Sequence, residues 1–193
     1  MKTKKIRIET LSETNVKDLP ELDGPPESCR FCLYWEHPQE WNRLQSSADE
    51  CLKRKTAWIK IVAEGFGCGG KVLYVEDKCV GYGQFAPIEY LPAVGDHPSG
   101  PISPDAVLLS CLFIANPRLR KKGLGTRLLK AVIAELKHKG VKALETIARK
   151  GNPENPSGPA EFYLKAGFKI LKDDKEYPLL RFDILSPAKE NKP

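Results

Sequence analysis

The segment Pro117–Leu129, PRLRKKGLGTRLL, holds the residues whose types and spacing are best suited to chemistry. Gly123 and Gly125 stand at the start of a helical pattern, directly after Arg120, Lys121 and Lys122. Unpaired backbone N–H groups at a helix start attract anions, glycines admit a phosphate close to the backbone, and the cations strengthen the field. Glycines of this kind also occur in an ordinary basic loop that caps a core helix, so the spacing alone leaves both readings open. Charge favours the first. Residues 118–150 carry 11 Lys/Arg against 2 Asp/Glu, a local +9 within a chain of net charge +6. An anionic partner is expected.

Other chemistry-bearing residues form weaker patterns. Cys29 and Cys32 make a C-x-x-C, but no second pair or His pair follows at zinc-finger spacing, so packing or a regulatory thiol is preferred and no metal is expected. The six cysteines lack the context of a secretion signal, and reduced thiols in a cytoplasmic protein are expected. The run GFGCGG at 65–70 contains G-x-G-x-x-G but follows a helix and precedes a strand, the reverse of the dinucleotide-binding order. His37, His97 and His138 are too scattered to suggest a metal site.

The elements that must position the basic loop are readable around it. AVLLSCLFIA, residues 106–115, is continuously apolar, as a central strand covered on both faces would be. Leu124, Leu128, Leu129, Val132, Ile133 and Leu136 mark one face of a helix that stops at Gly140, and a strand at about 142–148 follows. Strand, helix and strand over about 40 residues form a crossover, so the two strands should be parallel neighbours. Upstream, the chain predicts a strand over 5–10, a helix over 47–64 entered through Ser47 and Glu50, and a hairpin turning near Asp77 and Lys78. Residues 87–104, with five prolines and two glycines, form a long loop of the kind that lines binding sites. A short helix at 160–165 and two β-type runs, FKIL and PLLRFDI, finish the chain. At 193 residues, with 41% hydrophobic and 29% charged residues, one packed domain over 1–186 with a mobile tail at 187–193 is expected. No run is long enough to span a membrane.

Two motifs give this arrangement a family resemblance. Arg120-Lys121-Lys122-Gly123-Leu124-Gly125, preceded by LFIANP, resembles the Arg/Gln-x-x-Gly-x-Gly/Ala signature of the GNAT superfamily, the Gcn5-related N-acetyltransferases. AEFYLKAGFKI, residues 160–170, resembles the helix with a Tyr and a following Gly-Phe found downstream in the same family. The resemblance covers residues 71–185 well and the segment 1–65, which would lie on the substrate side, in outline.

The resemblance implies an α/β (α+β) fold, a mixed and mostly antiparallel sheet with a splayed parallel central pair flanked by helices. It implies acetyl-CoA as co-substrate, held at Phe113, Ile114 and Ala115 along the pantetheine arm and at Arg120, Lys121, Lys122, Gly123, Leu124, Gly125 and Thr126 around the pyrophosphate. Asn155 is a further contact, although the family's Asn position falls on Pro156. Tyr163 is implied as general acid for the departing thiolate, and a backbone N–H near Ala115 as oxyanion donor. The central strand lacks the carboxylate some members carry there. Glu145 resembles the acidic position of ribosomal-protein acetyltransferases, and is either that base or a solvated strand-edge charge. Tyr34, Trp35 and Trp41 read as core residues, some of which could wall an acceptor pocket. The partners implied are acetyl-CoA and a primary amine on a small molecule or protein, with no membrane, nucleic acid ranked low and a homodimer left open. A non-catalytic acyl-CoA or anion binder is the alternative.

Overall fold

A computed structural model describes residues 5–21, 28–41, 47–152 and 154–185. The expected tail at 187–193 lies outside the described residues. Among the described residues seven strands form one sheet: β1 (Ile6–Thr10), β2 (Gly70–Val75), β3 (Lys78–Ala86), β4 (Ala106–Ile114), β5 (Ala143–Ile147), β6 (Lys169–Lys172) and β7 (Leu179–Asp183), in the order β1-β2-β3-β4-β5-β7-β6. Strands from both ends of the chain therefore belong to the same sheet. Every neighbouring pair is antiparallel except β4 and β5, the two strands joined by the crossover.

The helices follow from the apolar stripes. α1 (Ala48–Gly65) begins where the Ser47 side chain accepts a hydrogen bond from Glu50 N, and buries Cys51, Lys55, Trp58, Ile59 and Val62 on one side of the sheet. α2 (Leu124–His138) buries Leu124, Leu128, Leu129, Val132 and Leu136 on the other, and Gly140 at φ +73° turns the chain into β5. The short α3 (Ala160–Lys165) packs Tyr163 and Ala160 into this second core layer. The long loop 87–104 is ordered by two 3₁₀ turns, Ile88–Tyr90 and Pro92–Val94, and by Trp58, whose indole N–H donates to Tyr90 O at 2.8 Å. No helix among the described residues is long and apolar enough to cross a membrane.

The feature that makes a site is the divergence of β4 and β5. Their register runs only from Ala106↔Ala143 to Leu108↔Glu145. Beyond it the Thr146 hydroxyl still donates to Leu109 O at 2.8 Å, and then the strands part. A shift in the β3–β4 register between Gln84/Phe85 leaves one extra residue on β4, and such a bulge bends its strand. The two buried strands thus pair at one end and open at the other, where the basic loop begins.

Candidate active site

After β4, the Asn116 side chain accepts from Arg118 N at 2.9 Å and caps a 3₁₀ turn, Pro117–Leu119. Lys121 at φ +59° and Gly123 at φ +78° then reverse the chain and set the start of α2 beside the end of β4. Arg127 N makes an intrahelical bond to Gly123 O, and Gly123 offers no side-chain cap. The amides of Leu124, Gly125 and Thr126 are thereby left for an external acceptor. A Cβ built on Gly123 meets nothing within 4 Å, so the approach to these amides is unobstructed by protein.

This cradle closes one end of a cavity of about 500 Å³, whose floor is Leu112–Ile114 and whose far wall runs from Asn155 to α3. The antiparallel ladder alternates, and Ala115 N donates to Val80 O at 3.0 Å, so the even-numbered amides of Leu112 and Ile114 face the opening instead. Leu112 N donates to Pro156 O at 2.9 Å. Ile114 O accepts from Arg120 Nε at 2.8 Å. Arg120 also pairs with Glu154 and lies 5.0 Å from the centre of the Phe113 ring. It is a strut that fixes the strand end, while Lys121 and the exposed Lys122 supply the positive field.

The loop Asn155–Gly158 lies across the divergence. Asn155 Oδ1 accepts from Ser157 N at 2.9 Å, and Asn155 O accepts from Gly158 N at 2.9 Å. Gly158 at φ +83° passes so close to Tyr163 that a Cβ would stand 2.9 Å from the phenol oxygen. Tyr163 is wholly buried and donates to Ser157 O at 2.7 Å. Burial pushes its phenol above the ordinary value.

A second cavity, of about 550 Å³, opens on the other side of this loop. Its walls include Cys32, Tyr34, Trp35, His97 and Tyr177, and it shares Asn155 with the first cavity. Behind Cys32, Trp35, Cys111 and Pro156 is a small chamber of about 50 Å³ reached by Glu36, Lys55, Tyr82 and Gln84. Glu36 Oε1 accepts from Lys55 Nζ and, at 3.0 Å, from Gln84 Nε2. Gln84 Oε1 accepts from Lys55 Nζ at 3.1 Å and from the Tyr82 hydroxyl. Glu36 Oε2 is buried without a hydrogen-bond partner among the described residues. The Glu36 carboxylate beside Lys55 favours the charged ammonium, opposing the burial that disfavours it, and the net shift of Lys55 is upward.

With this geometry in hand, a scan of family models matches residues 29–168 to the acetyltransferase (GNAT) family. The chain belongs to that family. Solved GNAT-type structures share the fold at low identity. The PaiA N-acetyltransferase of Thermoplasma acidophilum, in complex with coenzyme A, superposes with a TM-score of 0.58 at 17% identity over 93% of this chain and 99% of that one. YncA of Salmonella typhimurium, with acetyl-CoA, gives 0.57 at 15% over 95% and 96%. The ribosomal-protein-S18-alanine N-acetyltransferase of Escherichia coli gives 0.52 at 18% over 97% and 99%. A search of curated protein sequences gave no match.

The GNAT signature residues fall into three groups. Phe113, Ile114, Arg120, Lys121, Gly123, Gly125, Thr126 and Asn155 line the 500 Å³ cavity. Leu124 turns its side chain into the core, Lys122 points to solvent, and Ala115 commits its N–H to Val80, which removes that amide as an oxyanion donor. Glu145 is the third group. Neither a strand-edge charge nor open to substrate, it is fully buried, accepts from Arg181 Nη1 at 2.8 Å and from Ser103 N at 2.9 Å, and pairs opposite Leu108 where the strands have not yet parted. Arg181 also grips Asp105 at 2.9 Å and Asp183 at 2.8 Å, and these carboxylates raise its pKa. The antiparallel neighbour of β5, β7, brings Arg181 opposite Glu145, and nothing near Glu145 in the sequence announces that strand.

The residues that sequence reasoning missed are Glu36 and Lys55. A signal existed: Lys55 stands on the apolar stripe of α1 among Cys51, Trp58, Ile59 and Val62, where a lysine needs a buried partner. His97, set aside in the sequence, faces the second cavity; burial lowers its pKa, and its Nδ1 accepts from Ser99 N at 3.2 Å. The C-x-x-C forms a 3₁₀ turn capped by Ser28. Among the described residues no cysteine is in a disulfide and no group of three or more candidate ligands forms a metal site.

Proposed function

We propose that this acetyltransferase moves the acetyl group of acetyl-CoA directly to a primary amine. The observation that carries this reading is the pair of cavities on either side of the β4–β5 divergence, separated by the Asn155–Gly158 loop, with an uncapped helix start at the outer end of one. The amides of Leu124, Gly125 and Thr126, with Lys121 and Lys122, hold the pyrophosphate. The Ile114 amide pairs with the pantetheine arm, which then runs toward Asn155.

The amine enters from the 550 Å³ cavity. Its nitrogen attacks the thioester carbonyl, the C–N bond forms, the C–S bond breaks, and the thiolate leaves. An ammonium must first lose a proton, since a lysine-like amine with a pKa of about 10.4 is almost fully protonated at neutral pH. Glu36, with an unpartnered carboxylate oxygen beside the small chamber, is the carboxylate best situated to take it through water. Glu145 is committed to Arg181 and Ser103 and has no part in this reading. Tyr163 protonates the thiolate once Ser157 O has moved off its hydroxyl, a shift that also frees Leu112 N from Pro156 O, and the proton that the attacking nitrogen sheds as it becomes the amide returns through water to the Tyr163 phenolate. No cysteine nucleophile is used.

Calorimetric titration with acetyl-CoA, CoA and dephospho-CoA tests the cradle, and thiol release over a panel of amines tests the transfer. Micromolar binding with amine-dependent release is expected; no binding by folded protein sinks the reading. Tyr163→Phe should lower turnover by about 10²-fold with cofactor affinity kept, and an unchanged rate removes Tyr163 as the acid. The sequestered Tyr163 hydroxyl favours one rival, a non-catalytic acyl-CoA binder. That rival predicts binding without release for every amine.

A further inference from the structure

The chemistry of the 550 Å³ cavity says more about the acceptor than that it is an amine. Three stretches distant in sequence bring rings to its wall. Tyr34 meets Trp35 edge-on at 5.1 Å, Trp35 stacks with His97 at 6.5 Å and 27°, and His97 meets Tyr177 edge-on at 5.4 Å. Trp35 is buried, at 6% exposure, whereas Tyr34 at 43% stands at the rim. The guanidinium of Arg149 lies 4.5 Å from the centre of the Tyr177 ring and pairs with Glu176, which fixes that ring. Prolines, Ala93 and Ile147 complete the apolar surface.

Charge on the lining itself is sparse. Among the described residues Asp96 is the one carboxylate lining the cavity and no Lys or Arg lines it, while behind the wall Lys172 Nζ donates to Pro98 O at 2.8 Å. Asp96 is exposed and makes no ion pair among the described residues. His97 accepts a backbone hydrogen bond at Nδ1, which fixes the neutral tautomer with its proton on Nε2. Aromatic faces and one free carboxylate attract a single positive charge on an apolar body. The volume falls within the range of small-molecule sites. A polyamine would need further carboxylates for its further charges, and a peptide end would need partners for its amides along a wall made of rings and prolines.

We propose that this cavity is the acceptor site and that it selects a small arylalkylamine, a primary amine on an aromatic body, over polyamines and peptide N-termini. The proposal rests on the acetyl-transfer reading for its consequence but not for its binding test. The ring of the acceptor lies among Trp35, His97 and Tyr177, and the amine points to the Cys111–Asn155 end, where the cavity meets the loop that divides it from the cofactor slot.

The full chain is titrated with phenethylamine, spermidine, trialanine and 3-phenylpropionate, without acetyl-CoA, following tryptophan fluorescence and heat. Each amine is then tried in the thiol-release assay. Phenethylamine is expected to bind at least tenfold more tightly than the other three and to be the preferred acceptor. Asp96→Lys, at an exposed position, and Trp35→Leu should each weaken phenethylamine by about tenfold, the scale of one cation–π or ion contact. Unchanged acetyl-CoA affinity in the same variants shows that they fold. Tighter binding of spermidine or trialanine, equal binding of 3-phenylpropionate, or no effect of Asp96→Lys overturns the proposal. If acetyl-CoA itself fails to bind the parent protein, the acetyl-transfer reading falls, while the phenethylamine titration still decides what the cavity holds.

Discussion

The two sides of the loop Asn155–Gly158 are built on opposite plans. On the cradle side, seven consecutive residues, Arg120–Thr126, supply the backbone amides, the turn and the cations, and the adjoining Leu112–Ile114 supplies the floor. On the other side, the wall is gathered from residues 32–38, 93–98, 111, 147, 155–157 and 177. Recognition of a phosphate by helix amides needs only a local turn and a charge, so it can be written in one stretch of chain. Recognition of a shape needs surfaces facing one another, and those come from wherever the fold brings them. The contrast teaches that the donor side can stay fixed while the acceptor side is rebuilt.

The comparison breaks most severely where the two sides share a support. Arg181→Met removes the partner of the buried Glu145 and should cost about 3–5 kcal/mol of stability, as leaving a buried charge unpaired does. Urea denaturation measures it, and both ligand sites should fail together only as the protein unfolds. Glu145→Gln should likewise move stability and leave turnover at low temperature unchanged; a loss of turnover in folded protein would restore Glu145 as a catalytic group.

The next changes should separate the two sides. Lys121→Glu with Lys122→Glu should weaken acetyl-CoA by about a hundredfold, as two charge-assisted contacts are lost, and leave phenethylamine binding intact. Calorimetry at two salt concentrations checks both, since the parent affinity should fall with salt and the variant's should not. Gly123→Val is smaller, about tenfold weaker binding of acetyl-CoA, with a stability cost of about 1–2 kcal/mol from the left-handed φ of +78°. Because a Cβ there meets no protein atom, a loss of affinity larger than the loss of stability reports on the ligand's path.

The smallest effect concerns two thiols. Burial pushes the Cys29 thiol up to about 12, and that of Cys79 up to about 11. A raised pKa keeps the thiol protonated below it, so at pH 8 the Cys29 thiolate fraction is about 10⁻⁴. Iodoacetamide at pH 8 should leave Cys29 unmodified in folded protein and label it fully in guanidinium. Rapid labelling of the folded protein would make Cys29 a reagent rather than a wall of the chamber.

Legibility of the sequence divides along the same line. AVLLSCLFIA announced a central strand because nothing polar interrupts it, and the observed strand is Ala106–Ile114. The amphipathic stripe from Leu124 gave the crossover helix, and the crossover gave the parallel pair. Tyr163 stood out through its motif, yet its burial and its bond to Ser157 O were invisible, since they depend on a loop that crosses another part of the sheet. Glu145 looked free because its partner, Arg181, is 36 residues away on β7.

What the sequence by itself determined is therefore the period-bearing and contiguous part of this protein: strands, helices, the basic glycine loop and the family they resemble. Those features rest on local sterics, on the repeat of 2 or 3.6 residues, and on backbone groups that every residue carries. What only the tertiary structure decided is which polar groups are spoken for. Ala115 N–H goes to Val80, Glu145 to Arg181, and Lys55 to Glu36, while one oxygen of Glu36 is left over. A buried charge or amide is satisfied by whatever lies nearest in space, and proximity in space is the one quantity that a linear pattern does not contain.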